Sequence, residues 1–189
     1  EVFGIHEIEN GTTGPGVTLF SAKDGKVLFT SSLNEDVGRG VADNIDPTRK
    51  GAQCWWSGSP YLHDMKGNNI GEAPSSTNFL IYWDGDTSRE LLNSNYIDKY
   101  NFGRLFTAEG AVSNNGTKST PALSADILGD WREELILRSE DNKELRIYST
   151  TIPTNVRQYT LMHDPQYRLS IAWQNVGYNQ PPHTSFYME

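Results

Sequence analysis

The sequence predicts an all-β protein, and two features carry that prediction. Short runs of alternating apolar and polar residues recur from end to end, bounded by Asp, Gly and Asn, whereas helix-period stretches are hard to find. Three of these runs fold back across turn signals, at Asp24-Gly25, Asp84-Gly85-Asp86 and Asp141-Asn142. The turns lie 60 and 57 residues apart. An antiparallel fold assembled from hairpins follows from this pattern.

The hairpins, in chain order, comprise residues 17–30, 79–92 and 134–150. Their nearly constant spacing indicates a repeated sheet unit, and a propeller blade comes closest in length and number of strands. Residues 1–189 would then hold about three blades, with no separate second domain. Because fewer than four blades cannot close a ring, we expect further blades outside this sequence. The same hairpins could instead stack face to face as a β-sandwich.

Composition excludes several classes of partner. The 16 basic side chains are outnumbered by 24 acidic ones, for a net charge of −8, and no basic cluster is present, so nucleic acid is not expected. No apolar run has the length of a membrane span. The first residues, "EVFGIHEI", resemble the middle of a strand rather than a start or a secretion signal, so we expect a monomeric part of a longer chain. The single cysteine, Cys54, is predicted to be a small buried side chain.

An acidic loop, "ADILGDWREELI", precedes the third hairpin. Asp126, Asp130 and Glu134 stand at its first, fifth and ninth positions, a spacing that suits the oxygen ligands of calcium. Leu128 occupies the third position, where a further Asp would be expected. The alternative, in which these carboxylates only cap turns or face solvent, stays open.

A weaker copy of this loop is "ADNIDPTRKGAQCWW", with Asp43, Asn44 and Asp46. Here a calcium site at Asp46 and a plain turn are equally favoured. The four histidines lack zinc-like spacing, so zinc has little support.

One lysine stands out because of its surroundings. Residues 112–122, "VSNNGTKSTPA", place Lys118 among small polar residues of the kinds found in loops. On the local residues alone, a solvated loop lysine is the favoured interpretation.

Four stretches taken together resemble the C-terminal part of the rhamnogalacturonan lyases of polysaccharide lyase family 11. They are "VGRGVADNIDP", "SSTNFLIYWDGDTSRELL", "SNNGTKSTPALSADILGDWREELILRSEDNKELRIYSTT" and "TLMHDPQYRLSIAWQNVGYNQPPHTSFYM". The resemblance implies part of an eight-bladed, calcium-rich propeller in a secreted bacterial enzyme. It also implies a pectic partner, rhamnogalacturonan I, whose rhamnose–galacturonate linkage such enzymes cleave by β-elimination.

The resemblance further implies roles for individual residues. Lys118 would be the catalytic base and Arg39 its charge-stabilising partner; a lysine acts as a base only if nearby cations lower its pKa. Glu7 would help to hold a catalytic calcium ion whose other ligands precede this sequence. The sugar would be bound by Asn115, Gly116, Thr117 and Tyr178.

Simpler interpretations of these residues stay open at the level of sequence. Arg39 could form an ion pair with Asp36 or Asp43, and Tyr178 could pack beside Trp173. Asn44 replaces an aspartate that is usual in the family, which weakens the second acidic loop as a calcium site. The alternative function is carbohydrate binding without catalysis, by a propeller that calcium stabilises.

Overall fold

The computed structural model describes residues 1–8, 13–32, 36–176 and 179–188. Within these ranges the chain forms fifteen strands, one α-helix and one 3-10 turn, and it divides into two compact units, Glu1–Thr77 and Asn78–Glu189. The strands are β1 Val2–Ile5, β2 Val17–Phe20, β3 Val27–Thr30, β4 Gly40–Asp43, β5 Gln53–Trp56, β6 Tyr61–Asp64, β7 Asn69–Glu72, β8 Phe79–Ile81, β9 Glu90–Asn93, β10 Tyr96–Lys99, β11 Gly103–Thr107, β12 Ala111–Val112, β13 Leu123–Ala125, β14 Glu134–Ser139 and β15 Leu145–Tyr148.

The first unit contains two antiparallel sheets in which chain neighbours pair in sequence, β1-β2-β3 and β4-β5-β6-β7. The predicted hairpin of residues 17–30 is confirmed, with Leu19 of β2 opposite Phe29 of β3. Gly25 in its turn has φ +70°, a conformation that costs glycine least. The turn chemistry visible in the sequence therefore determines this pairing.

Buried residues of β2 and β5 contribute to the core of the first unit. One buried cluster comprises Val17, Val37, Cys54 and Trp56. Cys54 is fully buried, as predicted, and burial raises the pKa of its thiol to about 12. This thiol acts as a small apolar side chain.

The second unit contains the sheet β11-β10-β9-β8 and a sheet centred on β14. The hairpins predicted across residues 79–92 and 134–150 are both confirmed, by the pairings of β8 with β9 and of β14 with β15. Asn142 adopts φ +60° in the second turn, which Asn tolerates better than most residues. The main core of the unit comprises Phe79, Ile81, Trp83, Leu92, Ile97, Ala108, Ala111, Leu135 and Leu137.

Two short strands, β12 and β13, share one edge of β14. Arg138 of β14 pairs both with Val112 of β12 and with Leu145 of β15. Ile136 likewise pairs with Leu123 of β13 on one side and with β15 on the other. Both short strands therefore lie opposite β15, as one edge strand interrupted by residues 113–122. The polar lysine loop singled out in the sequence is that interruption.

The helix α1, Pro165–Trp173, is a feature that the sequence pattern did not predict. The Asp164 side chain caps it by accepting a hydrogen bond from the amide of Gln166, and Pro165 occupies the first turn. Only Tyr167 and Ser170 are buried along its length, so the apolar period that reveals a helix is too weak to detect. None of the described helices has the length and apolar character needed to cross a membrane.

The all-β prediction is confirmed for the bulk of the described chain, with this one helix added. The described residues form four antiparallel sheets, two of which contain four strands each in chain order. Four-stranded meanders are the units from which propeller blades are made. That the sheets are blades of a propeller stays a prediction.

Candidate active-site loop and cation sites

The loop of residues 113–122 is held together by Asn115. Its Oδ1 accepts hydrogen bonds from Thr117 N at 3.1 Å, Thr117 Oγ1 at 3.1 Å and Lys118 N at 3.0 Å. The amide of Ser119 donates to the Asn115 carbonyl at 2.7 Å, and Asn115 pairs with Thr120 across the loop. Asn side chains readily bond to backbone amides two or three residues ahead in turns. The backbone that carries Lys118 is therefore fixed locally.

The residues of this loop differ in their solvent exposure. Asn115, Gly116 and Thr117 are exposed, Lys118 is half-buried and Thr120 is buried. A Cβ at Gly116 would meet nothing within 4 Å, so the surface above this residue is open. The loop thus presents a small polar surface beside Lys118.

We expect Asn115→Ala to speed amide hydrogen exchange at Thr117 and Lys118 by about two- to tenfold, because each amide loses an acceptor that contributes about 0.5–1.5 kcal/mol. Exchange measured by NMR or mass spectrometry on the protein that contains this chain checks this. Asn115→Asp keeps the Oδ1 acceptor and serves as the matched control. Unchanged exchange in Asn115→Ala would show that the side chain does not hold the loop.

The other predicted active-site residues lie outside the loop of residues 113–122. Arg39 directly precedes β4 in the first unit and is 8% exposed, and its carbonyl accepts a hydrogen bond from Ser57 N at 2.8 Å. Glu7 is exposed, just after β1. Tyr178 lies outside the described residues. The roles given to these residues and to Lys118 stay predictions.

The carboxylates of the predicted calcium loop bind groups of the chain itself. Asp126 accepts hydrogen bonds from Gly129 N, Thr160 Oγ1 and Leu161 N at 2.7–2.8 Å. Asp130 forms an ion pair with Arg132 at 2.8 Å. Burial raises the pKa of Glu134. Calcium at Asp126, Asp130 and Glu134 stays a prediction.

A cluster that sequence reasoning treated only as a turn has the donor set of a cation site. Carboxylate oxygens of Asp84, Asp86 and Glu90 all lie within 4.8 Å of one another, the one such group among the residues that the structure describes. The spacing Asp-x-Asp-x-Ser-x-Glu in "DGDTSRE" was a visible signal, since oxygen ligands at alternating positions suit a hard cation.

Lys99 places its ammonium in this cluster. Its Nζ is 2.7 Å from Asp86 Oδ2 and 3.1 Å from Glu90 Oε1, and it also contacts Asp84 Oδ2. Burial opposes the charge on Lys99, but Glu90, Asp84 and Asp86 together outweigh burial and raise the pKa of its amine. Burial, and then the charge on Asp84, raise the pKa of Glu90 to about 8. The cation of this cluster is therefore the ammonium group of Lys99.

Three acidic loops are built alike. In each, the first residue of the following strand accepts hydrogen bonds from two successive loop amides. These sets are Gln53 with Ile45 and Asp46, Glu90 with Trp83 and Asp84, and Glu134 with Ile127 and Leu128. In each loop an aspartate also pairs with a cation of the chain, namely Asp46 with Arg49, Asp86 with Lys99 and Asp130 with Arg132. The loops are therefore structural equivalents in successive sheets.

A cavity of about 740 Å³ lies in the first unit. Trp56, Tyr61, Asn69, Glu72 and Thr77 are among the residues that line it. Aromatic faces combined with polar groups are typical of surfaces that bind small polar ligands. Neither Lys118 nor Arg39 lines this cavity.

Comparison with known proteins relates the whole sequence to one family. A sequence model described as "Rhamnogalacturonan lyase family 11, C-terminal domain" matches residues 1–189. The rhamnogalacturonan endolyase YesW of Bacillus subtilis (strain 168) is 55% identical over 194 residues, covering 100% of this chain and 31% of its own. The rhamnogalacturonan exolyase YesX of the same organism is 47% identical over 209 residues, covering 100% of this chain and 34% of its own.

A solved structure shows the same fold. The Bacillus licheniformis rhamnogalacturonan lyase PL11 superposes with a TM-score of 0.91 at 55% identity, over 98% of this chain and 32% of the other. The chain thus spans about a third of the length of the relatives it matches. Because the match runs over all residues at such identity, the chain belongs to rhamnogalacturonan lyase family 11 and corresponds to the family's C-terminal domain.

Proposed function

We propose that the protein containing this chain is a secreted lyase that cleaves the rhamnose–galacturonate linkage of rhamnogalacturonan I by calcium-assisted β-elimination. The observation that carries the proposal is 55% identity, over every residue of this chain, to a protein named a rhamnogalacturonan endolyase. In the same proposal, this chain supplies about three blades of a larger propeller that binds the polymer.

Lys118 acts as the base in this mechanism. Its amine takes the proton from C5 of galacturonate, and the electron pair of that bond forms the C4=C5 double bond. The C4–O bond breaks, its electron pair leaves with the rhamnose oxygen, and that oxygen takes up a proton from water. Positioning supports the assignment, since the Lys118 amide is fixed by Asn115 at 3.0 Å.

Charge stabilisation is assigned to Arg39, whose guanidinium would balance the negative charge that develops as C5 loses its proton. Asn115, Gly116 and Thr117 would contact the sugar from the exposed part of the loop, together with Tyr178. The exposure of the first three residues supports this role.

A calcium ion beside the uronate carboxylate would neutralise its charge and make the C5 hydrogen more acidic. Glu7 is the residue proposed to hold it, as its resemblance to a carboxylate of the family implies, and its exposure is compatible with that role. The loop carboxylates fit calcium less well, since Asp46, Asp86 and Asp130 each pair with a cation of the chain. Calcium at Asp46, Asp126, Asp130 or Glu134 would have to coexist with these contacts or displace them.

The test is an assay on the longest natural protein that contains this chain. Incubation with rhamnogalacturonan I and calcium should produce the ultraviolet absorbance of an unsaturated uronate, and a chelator should abolish the rise until calcium is restored. New reducing ends without that absorbance would show hydrolysis and contradict the proposal.

The second candidate is a non-catalytic module that binds carbohydrate, and the cavity lined by Trp56 and Tyr61 favours it. Binding of the polysaccharide without any unsaturated product would support this candidate over the lyase.

A further inference from the structure

The cluster of Asp84, Asp86 and Glu90 has the carboxylates of a metal site. Among the described residues, it is also where a lysine of the chain, Lys99, contacts all three of these carboxylates. Three carboxylates and the Ser88 hydroxyl surround the Lys99 ammonium, with Ser88 Oγ 3.4 Å from Nζ. Glu90 has no exposed side-chain surface and Lys99 has 10%. The Glu90 and Asp84 side chains are almost fully buried whereas Asp86 is 42% exposed, and the Lys99 ammonium offsets the repulsion among these acidic groups.

The sheet itself delivers that cation. Lys99 ends β10 and Glu90 begins β9, and Asp98 of β10 pairs with Leu91 of β9. Lys99, the residue after Asp98, therefore lies opposite Glu90, the first residue of β9. Side chains on directly opposed residues lie close enough to interact. The position of the ammonium follows from strand register rather than from the freedom of a surface side chain.

The Lys99 ammonium contacts the same three carboxylates that would ligate a metal ion here. The Nζ–oxygen distances of 2.7 Å and 3.1 Å to Asp86 and Glu90 are those of charge-assisted hydrogen bonds. Calcium would bring its ligands to about 2.3–2.6 Å and would take six to eight of them. The equivalent aspartates, Asp46 and Asp130, each meet a single arginine instead. In the described part of the chain, only the carboxylates of this loop form a group of three within 4.8 Å of one another.

We propose that Lys99 is the built-in cation of this cluster, that it holds the β8–β9 loop without a metal, and that removal of its charge creates a calcium site. A divalent ion in the wild-type protein would have to displace an amine that three carboxylates bind. The proposal concerns the fold, and it stands or falls independently of the lyase activity.

The test compares calcium binding by the wild type, Lys99→Met and the double variant Lys99→Met/Asp86→Asn, all in the protein that contains this chain. After treatment with a chelator, equilibrium dialysis against radioactive calcium counts the bound ions. Lys99→Met should bind one more ion per chain than the wild type, and the double variant should lose it. Lys143→Met is the matched control, because Lys143 pairs with the single carboxylate of Asp141 at 3.3 Å on the surface, and it should bind no extra ion.

Thermal melting gives a second readout. In chelator, Lys99→Met should melt at a lower temperature than the wild type, and calcium should raise its melting temperature more than it raises that of the wild type or the double variant. Equal ion counts for the wild type and Lys99→Met would overturn the proposal. It would also be overturned if Lys99→Met failed to fold even with calcium, since the metal would then be unable to replace the amine.

Discussion

Lys118→Ala should lower the rate of β-elimination by about 10²–10⁴-fold, the usual contribution of a general base. The substitution removes the amine but leaves the hydrogen bond from the residue 118 amide to Asn115 intact, so the loop should keep its shape. Loss of the base should appear in kcat, with KM changed much less. The measurement is the initial rate of unsaturated uronate formation by the protein that contains this chain.

Lys118→Arg distinguishes a base from a mere positive charge. Arginine carries a positive charge and does not give up its proton at neutral pH, so it cannot act as a base and this variant should be as inactive as Lys118→Ala. Lys143→Ala, at an exposed lysine of the β14–β15 turn, is the matched control and should retain full activity. If Lys118→Arg were active, the lysine would act by its charge. If Lys118→Ala were fully active, Lys118 would have no part in the chemistry.

Glu133→Ala should destabilise the second unit by about 3–5 kcal/mol, the usual cost of removing one partner of a buried charged pair. Glu133 and Arg89 both have 0% exposed side chains, and Arg89 Nη1 is 3.8 Å from Glu133 Oε2. Glu133 also accepts hydrogen bonds from the Tyr167 hydroxyl at 2.6 Å and from Tyr82 N at 2.8 Å. Truncation therefore leaves a hydroxyl and an amide without this acceptor, and a buried guanidinium without this counter-charge.

Denaturant or thermal unfolding of the protein that contains this chain measures the effect. Glu140→Ala is the control, because Glu140 is exposed in the β14–β15 turn and should change stability by no more than about 0.5 kcal/mol. Glu133→Gln should fall between the two, since it keeps an acceptor but removes the charge that faces Arg89. Equal stability of Glu133→Ala and Glu140→Ala would mean that the buried pair contributes nothing net.

The hairpins could be predicted from sequence because their information is local. Gly25 and Asn142 supply left-handed turn conformations between alternating strands, and the structure pairs those strands as expected. The spacing of 60 and 57 residues between the turns did not identify equivalent positions in successive sheets. The turn at Asp84 joins the first two strands of its sheet, whereas the turn at Asp141 follows the central strand β14. The equivalent positions are instead Gln53, Glu90 and Glu134, each the first residue of a strand.

Helix α1 and the Lys99 cluster were missed for different reasons. The helix is short and buries too few side chains to impose an apolar period, although Asp164-Pro165 was a correct start signal. The carboxylates of the cluster were visible as an alternating run, but their cation comes from a later strand. No local pattern connects Lys99 to Asp84.

From its sequence alone, this chain specifies its turns, its alternating strands, its acidic loops and the polar loop that carries Lys118, because each depends on neighbouring residues. Its membership of a lyase family can also be recognised from the sequence alone. Tertiary structure alone decided that Lys99 is the cation of the Asp84–Glu90 loop, that residues 113–122 interrupt an edge strand, and that Arg89 is buried against Glu133. Those outcomes depend on strand register and packing, which bring together residues that are far apart along the chain.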